Sequence, residues 1–138
     1  MLVESNQRYS ALYSNIKKME GSLVLKKNSK DSILGVKKIR VAMLEFGVLK
    51  VYTQDQGFHV FPGSISKLAS ILPMQFFFQV NRNMIVHRES ILSFATSSHG
   101  KITVEVQGLQ NKSMETSISR LKAASFRSWF HGSSSSTQ

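Results

Sequence analysis

The tripeptide Asn81-Arg82-Asn83 interrupts two apolar runs, Phe76-Phe77-Phe78 ahead of it and Met84-Ile85-Val86 behind it. Apolar blocks on either side of a polar triplet predict two core strands joined by an exposed bend. The bend presents Arg82 and Asn83. A guanidinium fork matches the O6 and N7 acceptors of guanine, and a side-chain amide matches N6 and N7 of adenine, so this pair has the chemistry that reads nucleic-acid edges. A second candidate is Ser119-Arg120, which stands where a helix-like segment opens. Ser is a favoured cap there, and a helix N-terminus attracts phosphate. An Arg in the first turn is slightly unfavourable for the helix dipole, so its presence asks for a reason outside the helix. Lys122 would support it as a phosphate contact.

Each of these residues also has a plainer reading. Arg82 would form a surface ion pair with Glu89, of a kind worth under about 1 kcal/mol. Asn83 would only bond its own backbone, as Asn does in turns. Phe76, Phe77 and Phe78 invite base stacking, but alternation puts Phe77 on one face and Phe76 and Phe78 on the other, as a strand buried between two layers requires. His59, His87, His99 and His131 lie far apart without metal-ligand spacing. Asp31 and Asp55 fall in turn-like segments, and no nucleophile elbow, P-loop or dinucleotide fingerprint occurs. With no Cys, thiolate catalysis, disulfides and Cys-ligated zinc are excluded. An enzyme is not expected, nor a cofactor.

The chain that must position these residues has 138 of them, enough for one core. Its 18 Lys and Arg against 8 Asp and Glu give a net charge of +10, which suits a polyanionic partner. Nucleic acid comes first and an anionic membrane second. The basic residues are spread as doublets such as Lys26-Lys27 and Lys37-Lys38, so the charge belongs to a folded surface. No run approaches a membrane span and no signal peptide opens the chain, so a cytoplasmic location is expected.

Tyr9, Leu12, Tyr13, Ile16 and Met19 form the stripe of an amphipathic helix over 5–20. The period then changes to two, predicting strands at 23–26, 32–36, 39–44, 48–53 and 58–61. Ser64 caps a short helix carrying Ile65, Leu68, Ala69 and Leu72, which Pro73 stops. Further strands are expected at 84–86, 91–96, 102–106 and 115–119, with Ser97-Ser98-His99-Gly100 as a hairpin loop. A last helix carries Ala123, Phe126, Trp129 and Phe130, and residues 132–138 read as a disordered low-complexity tail.

With these residues placed, the chain resembles the LytTR family, the β-rich DNA-binding output domain of many bacterial response regulators. Phe77-Phe78-Gln79-Val80-Asn81-Arg82-Asn83-Met84-Ile85-Val86-His87 is similar to the family signature Phe-x-Arg-x-His/Asn-Arg-Ser/Gln-x-x-Val-Asn. Ser119-Arg120 sits where the family has its Ser-Arg pair, and Phe126 and Trp129 match apolar positions of its last helix. Gln79 stands where the family usually has Arg, His87 where it has Asn, and the loop around Glu45-Phe46-Gly47-Val48 is short. No receiver domain lies within these residues.

The resemblance implies a mainly β fold, an elongated β-sandwich of small antiparallel sheets with short helices near 64–72 and at the C-terminus, plus the N-terminal amphipathic helix. The expected division is a linker helix over 1–20, a DNA-binding domain over 21–131 and the tail. The implied function is sequence-specific binding of double-stranded DNA by loops in the major groove, in a bacterial transcriptional regulator of the two-component kind. Arg82, Asn83 and Arg120 would serve bases, Lys50 and Lys122 phosphates, and Gly47 and Val48 the loop that touches DNA. Repeated half-sites, a homodimer on DNA, no membrane and no small-molecule substrate complete the expectation. The alternatives are a protein-interaction module that keeps the fold without reading DNA, and a weaker one, single-strand or RNA binding through the Phe block.

Overall fold

The computed structural model describes residues 21–55, 57–108 and 112–135. The amphipathic helix expected over 5–20 lies outside the described residues. Ten strands and two helices run in the order β1 (Ser22–Lys27), β2 (Lys30–Gly35), β3 (Ile39–Glu45), β4 (Val48–Thr53), β5 (Phe58–Val60), α1 (Ile65–Ile71), β6 (Phe77–Asn81), β7 (Met84–His87), β8 (Ile91–Thr96), β9 (Ile102–Gln107), β10 (Ser113–Ile118) and α2 (Arg120–Ser135) among the described residues. The protein is mainly β, as its two-residue periodicity requires. All strand pairs are antiparallel, in one seven-stranded sheet ordered β2-β1-β5-β4-β3-β7-β6 and one three-stranded sheet ordered β10-β9-β8.

The strands β3, β7 and β6 are covered on both faces, and for this reason Met84, Ile85, Val86 and His87 are buried without a break. On one face Ala42, Ile85 and Phe77 join Leu25, Leu49, Val51 and the α1 residues Leu68 and Leu72. On the other, Val41, Val80, Met84 and Val86 meet Ile102, Val104 and Val106 of β9, Ile118 of β10, and Ala123 and Phe126 of α2. The inward residues of β9 alternate with exposed Lys101, Thr103 and Gln107, the expected signature of a strand with one wet face. Helix α1 forms because Ser64 Oγ accepts the Lys67 backbone N–H at 3.1 Å and Pro73 prevents continuation. Fully burying Leu68 there contributes about 2 kcal/mol.

Two expectations change. Phe76 does not continue the strand: its N–H and that of Phe77 both bond Pro73 O, at 3.0 and 3.1 Å, so the chain turns before β6 begins. Phe76 therefore packs with Phe77 against the first core, while Phe78 alone crosses to the second. Helix α2 extends through Ser135, past the boundary expected at residue 131, and residues 136–138 lie outside the description. Ser is only mildly unfavourable in a helix, so a serine run need not stop one already nucleated.

Helix α2 is held by a residue that the spacing did not single out. Arg88 donates to the carbonyls of Phe130 (2.6 Å), Trp129 (2.7 Å) and Gln75 (3.1 Å), and its guanidinium lies 4.2 Å from the Trp129 ring centroid. Trp129 Nε1 donates to Met74 O at 2.7 Å. Together these contacts fasten the helix to the turn that precedes β6.

Candidate nucleic-acid interface

The β6–β7 connection is a two-residue turn, Arg82-Asn83, and Asn81 shapes it. Asn81 Oδ1 accepts the Asn83 N–H at 2.9 Å, an Asx turn, while its Nδ2 donates to Thr116 Oγ1 at 2.8 Å and to Ser117 O at 3.2 Å. One side chain thus closes the turn and pins it to β10 of the other sheet. The Asn-x-Asn spacing was the available signal for this role. With Asn81 consumed, Arg82 and Asn83 are exposed, and Arg82 has no ion-pair partner among the described residues. The Arg82–Glu89 pair is not formed, because Glu89 lies beyond the far end of β7 and faces Arg40 at 3.8 Å.

Two further segments meet this turn. The Asn83 carbonyl accepts the Leu44 N–H at 2.8 Å, which sets the β3–β4 hairpin tip beside it. That tip is Phe46-Gly47, with φ of 51° and 80°. Positive φ at both central residues is the type I′ arrangement, in which the first place usually goes to Asn and the second to Gly. A fully exposed Phe46 in a left-handed conformation is strained by about 1–2 kcal/mol. Nothing in the described fold returns that energy to Phe46. Val48 is partly exposed next to it.

On the other flank α2 begins at Arg120, directly after β10, and Lys122 Nζ donates to Gln79 O of β6 at 3.2 Å. Arg120 is exposed, and its aliphatic stem crosses Gly100 of the β8–β9 hairpin, where an added Cβ would come within 3.1 Å of Arg120 Cγ. Gly100 also needs its φ of 83° to close the Ser97–Lys101 turn. Lys50 is more committed: it lies 3.6 Å from Glu45 Oε1 and 4.8 Å from the Phe58 ring centroid. The same Glu45 accepts the Tyr52 hydroxyl at 2.6 Å, and burial, followed by that carboxylate, pushes the Tyr52 phenol up to about 12. The arrangement therefore offers Arg82, Asn83 and Arg120 outward, with Lys50 and Lys122 partly engaged in the fold.

The sequence matches the family described as LytTr DNA-binding domain over residues 29–131. The chain belongs to the LytTR family. A solved LytTr DNA-binding domain, from a protein described as a methyl-accepting/DNA response regulator of Bacillus cereus, superposes with a TM-score of 0.65 at 16% identity, covering 79% of this chain and 95% of that one. A search of curated proteins finds no match. The fold is thus shared, and the chain is a DNA-binding domain of the type carried by bacterial regulators.

Within this LytTR domain the two departures from the signature occupy the fold rather than the exposed turn. Gln79 is half-buried in β6 and contributes its backbone carbonyl to Lys122. His87 is buried between Phe76, stacked at 6.2 Å, and Phe77, edge-on at 4.9 Å. Burial first, then the positive charge of Arg40, pulls the His87 imidazole down to about 4. It is a neutral ring at neutral pH.

Proposed function

We propose that this LytTR domain reads double-stranded DNA in a sequence-dependent way, with the β6–β7 turn, the β3–β4 tip and the start of α2 at the major groove, as the output of a bacterial transcriptional regulator. The observation that carries this reading is the Asn81 clamp. It spends one polar side chain on fixing a turn whose two central side chains, Arg82 and Asn83, stay outward. Preorganised guanidinium and amide groups on a rigid turn suit base edges, since little side-chain order remains to be lost on binding. Arg120 at the start of α2 adds a second guanidinium, for a base or a phosphate. Gly47 permits the tip, Val48 adds apolar contact, and Lys50 and Lys122 reach phosphates if they exchange their present partners for them. Two copies on repeated half-sites would extend the same reading.

The exposed apolar tip of Phe46 and Val48 favours one rival, a protein-interaction surface at the same place. Selection of duplexes from a random pool at near-physiological salt separates the two. An enriched motif, bound at least about a thousandfold above bulk duplex, is the expected result. Recovery of unenriched DNA would leave the interaction module as the better account.

A further inference from the structure

At the end of the β3–β7 pair opposite the Arg82-Asn83 turn lies a cleft of about 390 Å³, lined by Lys37, Lys38, Arg40, Gln54, Phe76 and His87, with Glu89 at its edge. His87 is three residues along β7 from Met84, which adjoins the turn, so the cleft stands roughly 10 Å from the turn along the strand. The site is separate from the DNA-facing loops.

The His87 ring is only 3% exposed and its two nitrogens are used unequally. Nδ1 accepts the Glu89 N–H at 3.0 Å, so the neutral ring carries its proton on Nε2. That Nε2–H is buried and has no partner. A buried donor left unpaired costs about 1–3 kcal/mol, which a ligand acceptor would recover. Around it the cleft contributes mainly cations. Lys37 and Lys38 are exposed at the end of a 3-10 turn, and Arg40 is held in place by donating to the carbonyls of Lys37 and Ile39, both at 3.0 Å. The carboxylate at the rim, Glu89, is largely exposed and reaches Arg40 only at 3.8 Å. Such a long, solvated contact is readily displaced. A cleft with three cations and an unpartnered N–H selects for an oxyanion.

We propose that this cleft binds a small free oxyanion of the phosphate class, which accepts from His87 Nε2–H and is surrounded by Lys37, Lys38 and Arg40. The burial that keeps the ring neutral also keeps Nε2–H available as a donor at pH 7. The volume admits one such ion with a few waters. Binding there would report a free anion to the sheet that also carries the DNA-reading turn, without touching that turn.

The test follows the His87 imidazole nitrogens by NMR in the full chain while inorganic phosphate replaces chloride at constant ionic strength. A saturable shift of Nε2 is expected, and in the double variant Lys37→Gln/Lys38→Gln it should need at least about tenfold more phosphate. Both lysines are exposed, so this variant keeps the fold, as circular dichroism would verify. A His87 signal that does not move, that follows chloride equally well, or that titrates identically in the double variant would overturn the site. Duplex DNA added in place of phosphate provides the second arm. An unmoved Nε2 signal supports a free anion, whereas a shift like that of phosphate assigns the cleft to the DNA backbone and overturns the proposal.

Discussion

What already holds a cation decides what it has left for DNA. Arg82 and Arg120 are exposed and carry no ion pair among the described residues, whereas Lys122 bonds Gln79 O and Lys50 is shared between Glu45 and Phe58. Arg82→Ala and Arg120→Ala should each weaken a selected site by about 1–3 kcal/mol and relax its sequence preference. Lys122→Ala should weaken selected and random duplexes alike. Equal losses on both duplexes for all three variants would restrict the arginines to phosphate. His87 supplies a second residue-scale expectation, on stability. Its folded value, about 4, lies below its usual 6.5, so the unfolded chain binds the proton more readily between those limits. Stability is therefore complete above about pH 6.5 and falls as pH drops toward 4, by up to about 3 kcal/mol. Urea midpoints measured across that window should fall in the native chain and fall much less in His87→Phe. Arg82, Asn83 and Arg120 were legible as candidates because their types stand out against apolar neighbours. The clamp by Asn81, the latch by Arg88 and the buried His87 were not, since each depends on partners 35, 41 or 42 residues away, or on burial from both faces of a sheet.

At the scale of elements, the local signals located most strands and both described helices because period, caps and breakers act over a few residues. Val48–Thr53 and Ile91–Thr96 have the boundaries that alternation and turn residues imply. Phe76 departs from its expected face because Pro73 redirects the backbone, which a strict two-residue period cannot register. Sheet order was also out of reach: β5 lies between β1 and β4, and β7 pairs with β3 across more than forty residues, by contacts that no local pattern encodes. The hairpin tip is where element and function pull apart. Asn tolerates the left-handed conformation far better than Phe. Phe46→Asn should raise thermal stability by up to about 1 kcal/mol while weakening DNA binding, because it relaxes the turn and removes the protruding ring. Higher stability with unchanged affinity would take Phe46 out of the DNA surface and favour a protein partner there.

For the molecule as a whole, charge and architecture act at different ranges. Two cores back to back on β3, β7 and β6 make those strands the rigid centre, and the DNA-facing turn is a direct extension of it. The net charge of +10 is spread over the surface, so it contributes attraction to any duplex and little discrimination between duplexes. Among the described residues no helix is long and apolar enough to cross a membrane. Association with DNA should therefore have two separable parts, a counterion-release part common to all sequences and a turn-borne part confined to the selected site. If about five phosphates are neutralised, affinity for either kind of duplex should drop by a few hundredfold between ~50 and ~200 mM salt. The ratio of selected to random affinity should stay nearly constant over the same range, because hydrogen bonds to base edges release no condensed ions. Arg82→Ala should lower that ratio while leaving the salt slope near its original value; Lys122→Ala should reduce the slope by about one and leave the ratio alone. Parallel titrations of the two variants on both duplexes measure slope and ratio together. A ratio that collapses with salt in the unaltered chain would mean that its preference comes from charge placement along the backbone, and Arg82 would then lose its role as a reader of bases.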